Sequence, residues 1–217
     1  MRQLIFSLFF CAFALGVNAQ NIAEVFTSMP DQYIPQLEHA WRQDLVDLYK
    51  SGKEARLKNT MNGFSVLRNL TNDYLLLETT ERSSVEMKLL PLVNNTYVVC
   101  MITTVNGPVP DSRINFFSTT WEALKTSDLF TAPTGKWYLK ENANKDDYAY
   151  QEALSLLDMD LIQYQLNPEN RTLTMLYTTP QYLNEESQKK VAPFLNSPKV
   201  FSWEKYHFLE CKNDTLK

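Results

Sequence analysis

The chain has 217 residues, 12% of them aromatic and five of them glycine, and its formal net charge is −4. Such a balance excludes a nucleic-acid binder that neutralises phosphates with a basic patch, and it excludes a polybasic grip on anionic lipid. The few glycines and the lack of polar low-complexity tracts favour one ordered domain with a sizeable core.

Residues 1–19 have the pattern of a cleavable secretory signal peptide. Arg2 precedes an apolar run over 4–16, which is shorter than the roughly 20 residues of a membrane-spanning helix. Small residues close the pattern, and we expect cleavage after Ala19. No later apolar run is long enough to span a membrane. The sequence therefore predicts an exported protein of the periplasm or outer envelope, whose mature chain, 20–217, is one domain.

Two cysteines remain in the predicted mature chain, Cys100 and Cys211. An exported compartment permits a disulfide between them. Cys100 lies in an apolar predicted strand, however, where a buried free thiol is also common. The sequence leaves both alternatives open, because it does not fix the separation of the two residues.

The first predicted element of the mature chain is an amphipathic helix that ends at Gly52, followed by a polar connector over 53–58. Apolar residues recur along this helix at helical spacing, with charged residues between them. These apolar residues are Ile34, Leu37, Trp41, Leu45 and Leu48.

Strands dominate the rest of the chain. Alternating or β-branched apolar runs, separated by short Asn and Pro turns, predict an antiparallel meander in the first half and three more strands in the second. The predicted strands cover 74–80, 85–89, 96–105, 114–121, 161–166, 172–178 and 200–208. Between the two groups, 129–144 reads as a surface connector, and Asp146 and Asp147 cap a short helix that runs to about Leu157. A further short helix begins after Asn184.

This order predicts an α+β fold in which helices pack on one face of a largely antiparallel sheet, with the other face partly open. The stretches 25–125 and 145–210 also resemble each other, since each contains a helix and a strand that ends in two threonines. We interpret them as two tandem α-plus-meander repeats. The alternative is that any two α-plus-meander units would have a few identical residues at matching positions without duplication.

Most enzyme signatures are missing from the sequence. There is no nucleophile elbow, no phosphate-binding glycine loop and no dinucleotide fingerprint. The two histidines, His39 and His207, have no nearby partner with metal-ligand spacing. We therefore predict no cofactor and no metal site, and we assign no catalytic residue.

Two groups of residues are candidates for binding. One is a polar triplet after a proline turn, which could equally form the turn by bonding backbone N–H groups. The other is a set of tryptophans that could line a groove or simply pack in the core. The candidates are Asp111, Ser112, Arg113, Trp121, Trp137 and Trp203.

Several short motifs occur in an order that resembles a known family. They are Met29-Pro30-Asp31, Leu89-Leu90-Pro91, Gly107-Pro108, Asp111-Ser112-Arg113-Ile114 and Trp121. The chain resembles an exported family of Bacteroidales that carries only a domain-of-unknown-function label. This resemblance implies a periplasmic or outer-envelope location and brings no catalytic residues with it.

Two functions fit these observations. The first is a non-catalytic binding module of the envelope that uses the open sheet face and its aromatic residues to hold an envelope protein or a glycan. The second is a hydrolase-type enzyme whose site is assembled from distant residues such as Asp111, Ser112 and His207. The missing motifs favour the binding module.

Overall fold

A computed structural model describes residues 21–211 of the chain. The predicted signal peptide, 1–19, lies outside the described residues. Within the described part, five α-helices accompany eleven strands, and all strand pairs within the two sheets are antiparallel. The α+β prediction, with a largely antiparallel arrangement of strands, is therefore confirmed.

The larger sheet has seven strands that follow one another in sequence order. They are β1 (Arg56–Lys58), β2 (Phe64–Leu70), β3 (Tyr74–Thr80), β4 (Ser83–Pro91), β5 (Tyr97–Asn106), β6 (Pro110–Ser118) and β7 (Ala123–Leu124). The predicted meander corresponds to β3–β6. Strand β1 lies in the predicted polar connector, because a three-residue edge strand with mostly exposed side chains carries no apolar alternation.

The smaller sheet has four strands in the spatial order β11-β10-β9-β8. They are β8 (Ile162–Leu166), β9 (Thr172–Tyr177), β10 (Lys199–Glu204) and β11 (His207–Glu210). The prediction of a single strand over 200–208 is wrong, since a turn with Lys205 at a φ of 58° makes it a hairpin. Buried aromatic residues on both sides of this turn, which contains neither Gly, Asn nor Pro, hid it from pattern analysis.

The helices are short. They are α1 (Ile22–Thr27), α2 (His39–Lys50), α3 (Thr126–Leu129), α4 (Tyr148–Ser155) and α5 (Glu185–Val191). Three 3-10 turns accompany them at Asp31–Tyr33, Thr179–Tyr182 and Ala192–Phe194. Helix α2 starts at His39, five residues after the start of the predicted apolar stripe, and Pro35 lies in the loop between.

The loop before α2 is held from inside by Arg42, whose side chain is fully buried. Its guanidinium donates to the backbone carbonyls of Met29 and Leu37 and forms an ion pair with Asp31 at 2.9 Å. Burying an arginine is costly unless its donors are paired. These contacts fix the loop that carries the 3-10 turn at Asp31–Tyr33.

Helices α1 and α2 pack on one face of the larger sheet, and α1 is a helix that the sequence did not predict. The core between them is built from Phe26, Leu45, Leu75, Leu77, Met87, Val99 and Phe117, among others. The opposite face of this sheet, which the sequence predicted to be partly open, is covered by the smaller sheet. Sequence patterns do not show this, because an inter-sheet core looks like any other apolar strand face. The inter-sheet core includes Leu90, Cys100, Phe116, Leu166, Leu173, Phe201, Trp203 and Phe208.

Two polar side chains of β4 join the sheets across this core. Glu86 Oε2 accepts hydrogen bonds from Tyr74 Oη–H at 3.2 Å and from the backbone N–H of Leu166 at 2.9 Å. Lys88, which is 1% exposed, donates to the carbonyl of Pro168 at 3.1 Å and pairs with Asp73. Burial raises the pKa of the Glu86 carboxyl despite these hydrogen bonds.

The two cysteines are free thiols in the structure. Cys100 is buried in the inter-sheet core, where burial raises the pKa of its thiol, and Cys211 follows β11. Of the two alternatives that the sequence left open, the structure therefore has the unpaired one.

A third apolar cluster lies around α4, α5 and the segment that begins near Trp137. Tyr138 and Tyr177 stack there with ring centroids 3.7 Å apart, and Val191 of α5 is fully buried against the cluster. Part of the predicted connector, 129–144, is therefore packed into the fold.

Candidate functional site

A groove of about 890 Å³ lies beside β5 and β6, next to the 3-10 turn at Asp31–Tyr33. Its apolar floor includes Met101 of β5 and Phe117 of β6, which belong to the core under the helices, together with Ala123 of β7. The groove exists because α1 and α2 cover only part of this sheet face. We call it the β6 groove.

Polar side chains surround this floor. The strand register places Thr103 opposite Arg113 and Met101 opposite Asn115, so that these four side chains lie on the same face of the sheet. Gln32 contributes a further amide from the 3-10 turn. This combination of an apolar floor and a polar rim is typical of binding sites.

Several of these polar groups have no partner within the protein. Among residues 21–211, the side chains of Gln32, Thr103, Arg113 and Asn115 form neither a hydrogen bond nor an ion pair. Their hydrogen-bonding capacity is therefore free for solvent or for a ligand.

The predicted polar triplet lines the β6 groove. Asp111 Oδ1 accepts a hydrogen bond from the backbone N–H of Ile162 at 3.1 Å, and the hydroxyl oxygens of Ser112 and Thr104 lie 2.8 Å apart. Two of the three residues thus help to hold the fold, but they do not form a turn, because they lie within β6 and only Asp111 accepts from a backbone N–H, that of Ile162 in β8. Arg113 is the member whose charge is unpaired.

Tyr164 of β8 reaches the β6 groove from the smaller sheet. Its ring is largely buried and packs against Phe130 with centroids 5.8 Å apart. Burial raises the pKa of its phenol, and the carboxylate of Asp111 adds to the effect. Tyr164 therefore stays a neutral hydroxyl that can donate or accept a hydrogen bond.

The three candidate tryptophans lie in three different places. Trp121 is buried beneath the β6 groove, where its indole N–H donates to the carbonyl of Val25 at 3.0 Å and its ring packs on Tyr33 and Phe117. Trp203 is buried between the sheets, and its indole N–H donates to the carbonyl of Pro91 at 2.8 Å.

Trp137 is half-buried and lines a second groove of about 520 Å³. Lys136, Lys140, Asn196 and Lys199 line this groove too. Lys199 pairs with Glu210, and Lys140 donates to a backbone carbonyl at 2.7 Å. Two of the three lysines of this groove are therefore already bonded within the protein.

The residues of the hydrolase alternative do not come together. His207 does not line the β6 groove with Asp111 and Ser112, and its Nδ1 lies 3.0 Å from the carbonyl oxygen of Asp128. No cluster of three or more metal-ligating side chains occurs in the part of the chain that the structure describes. In that same part, no helix combines the length and apolarity that crossing a membrane would need.

Several groove residues carry no recognisable signal in the sequence. Tyr33, Gln32 and Tyr164 come from segments far from β6, and no local pattern marks them. Thr103 and Asn115 lie inside predicted strands, where the register with the neighbouring strand, unknown from the sequence, decides which face they share.

The protein and the family that this chain resembles have no known function. No curated protein matches the chain. A solved structure described as a domain of an uncharacterized protein from Porphyromonas gingivalis W83, one of the Bacteroidales, is similar to it with a TM-score of 0.78 and 28% identity. The similarity covers 88% of this chain and 98% of that one. The family model DUF3256, a protein of unknown function, matches residues 14–208, and the chain therefore belongs to the DUF3256 family.

Proposed function

We propose that this chain is an exported protein of the cell envelope, periplasmic or on the outer surface, that binds a partner in the β6 groove without catalysing a reaction. The partner is an envelope protein or a glycan. Export is supported by the signal pattern of residues 1–19. Binding is supported above all by the unpartnered side chains of Gln32, Arg113 and Asn115 around an apolar floor.

The location of this surface differs from the one that the sequence suggested. The open sheet face of the prediction is covered by the smaller sheet, and two of the three candidate tryptophans are buried in cores. The β6 groove instead offers both apolar area and free polar groups on the helix side. It is therefore the surface on which we base the proposal.

The proposal is tested by capture from native envelope extract with tagged mature protein, residues 20–217. Thr103→Arg places a long charged side chain in the groove, whereas Thr131→Arg adds the same charge at an exposed position outside it. We expect one stoichiometric protein or glycan to be retained by the natural protein and by Thr131→Arg, and to be lost with Thr103→Arg. Equal retention by all three proteins would contradict a role for the groove.

Export is tested separately. The full chain and a variant that lacks residues 2–19 are expressed in the native host, and cells are fractionated. We expect the full chain, shortened at its N-terminus, in the envelope or outside the cell, and the variant in the cytoplasm. A full-length chain that stays in the cytoplasm would refute the localisation.

A further inference from the structure

Strand β6 has one edge that is only partly paired. On its inner side, β5 pairs with it along nine residues, from Pro110 to Ser118. On its outer side, β7 pairs only with Phe116 and Phe117. From Pro110 to Asn115, the outer edge therefore has no strand hydrogen-bonded to it in the described part of the chain, although β8 of the smaller sheet lies close to β6 where Ile162 donates to Asp111.

The direction of the backbone groups on this edge follows from two contacts. The N–H of Ser118 donates to Glu122 on the β7 side at 2.9 Å, and the carbonyl of Pro110 accepts from Thr178 Oγ1 at 2.7 Å. In an antiparallel sheet, alternate residues direct both backbone groups to the same neighbour. Ser112 and Ile114 therefore direct their N–H and C=O groups outward, where no partner exists among residues 21–211.

The β6 groove follows this same edge. All five consecutive residues of β6 from 111 to 115 line it. Met101 and Thr103 of β5 line the groove on the helix-side face, and Ser112 and Ile114, whose side chains point to the other face, line it as well. The groove therefore extends from that face to the β6 edge, with Tyr164 at one side and Ala123 of β7 at the other.

We propose that the β6 groove takes an extended polypeptide segment that adds to the β6 edge as a strand, pairs with Ser112 and Ile114, and places an acidic side chain beside Arg113. This inference rests on the proposed function and specifies its ligand. Strand addition is a recurring mode of peptide recognition in which backbone bonds supply affinity and side-chain pockets supply specificity.

The charge of the segment follows from the groove. Arg113 is an exposed cation without an ion pair in the described structure, whereas Asp111 already accepts the N–H of Ile162. A carboxylate on the added strand would complete a bidentate pair with the guanidinium. A glycan, in contrast, would bind to the side chains of the groove. It has no regularly spaced backbone donors and acceptors to pair with the outward N–H and C=O groups of Ser112 and Ile114.

The experiment selects a displayed library of random seven-residue peptides on the mature protein and measures the affinity of the best binder as a synthetic peptide. Ile114→Pro removes the outward N–H, which is not one of the hydrogen bonds to β5, and it also removes an isoleucine side chain that packs against the inter-sheet core, so its unfolding is measured alongside. Ile114→Val is its matched control, since it keeps the N–H. A version of the peptide that is N-methylated on its β6-facing amides makes the same test on the unaltered protein.

We expect the selected peptides to share an acidic residue. We also expect Ile114→Pro, N-methylation and Arg113→Ala each to weaken binding about tenfold, since each removes about one or two hydrogen bonds. Ile114→Val is expected to leave the affinity within about twofold.

Strand addition is overturned if no peptide is enriched over selection on Ile114→Pro, or if N-methylation leaves the affinity unchanged. If Thr103→Arg still abolishes capture of a glycan from envelope extract in that case, the groove binds a glycan and the proposed function stands without its peptide ligand. If Thr103→Arg changes nothing, the proposed function itself fails.

Discussion

Polar side chains on the two sides of the larger sheet differ in whether they have hydrogen-bonding partners within the protein. On the side of the smaller sheet, Glu86 and Lys88 are bonded across the sheets to backbone groups near β8. On the helix side, the side chains of Arg113 and Asn115 line a groove and form neither a hydrogen bond nor an ion pair within residues 21–211. Polar groups that a fold buries need partners, whereas polar groups without partners are free for a ligand. The first set holds the protein together, and the second set is where we expect it to bind.

The largest expected effect lies on the inter-sheet side. Lys88→Ala removes a buried alkyl chain and leaves the carbonyl of Pro168 without its donor. We expect the free energy of unfolding to fall by about 2–3 kcal/mol. Urea unfolding measures the change, and Lys125→Ala, which removes an exposed pair with Asp128, is the control and should change it by less than about 0.5 kcal/mol. A Lys88→Ala protein as stable as its control would show that the inter-sheet contacts are dispensable.

Trp203→Phe should have a smaller effect of the same kind. The indole N–H donates to Pro91 inside the core, so its loss leaves a carbonyl unpaired but keeps most of the apolar contact. We expect a decrease of about 1–2 kcal/mol in the free energy of unfolding and no change in partner capture. Lost capture in a stable Trp203→Phe protein would restore this residue as a binding residue.

Glu86→Gln tests the raised pKa of a buried carboxyl. The Glu86 carboxyl has a higher pKa in the folded state than in the unfolded state, so the folded state binds the proton more tightly. The free energy of unfolding therefore decreases as the pH rises through the pKa of the folded state. Glutamine keeps an acceptor for Leu166 without the buried charge. We expect the variant to unfold at a higher temperature than the natural protein at pH 7, and the difference to vanish below the ordinary glutamate pKa of about 4.5. A difference that does not depend on pH would mean that Glu86 titrates normally.

The two regions also differ in how well the sequence predicted them. Strands β3–β6 were predicted because alternating or β-branched apolar runs are bounded there by turn residues, and helix α4 was predicted from the aspartates that precede it. The closure of the larger sheet by the smaller one was missed, since the inward faces of Tyr164, Leu173 and Phe201 look like any buried strand face. The local periodicity of a sequence does not show which distant segments pack against each other.

The candidate site was predicted only in part for the same reason. Asp111, Ser112 and Arg113 were selected for their position after a proline turn, and all three line the groove. Their different roles are visible only in the structure, where the Asp111 side chain accepts a hydrogen bond from Ile162 and the Arg113 side chain has no partner among the described residues. Whether the stretches 25–125 and 145–210 arose by duplication stays a prediction.

The most direct test of the contrast between the two sides is Arg113→Ala, measured for stability and for partner capture in the same preparation. We predict a free energy of unfolding within about 0.5 kcal/mol of the natural protein, because the side chain is exposed and unpaired, together with at least a tenfold loss of captured partner. A variant that is clearly destabilised, or one that captures its partner as well as the natural protein does, would contradict the account.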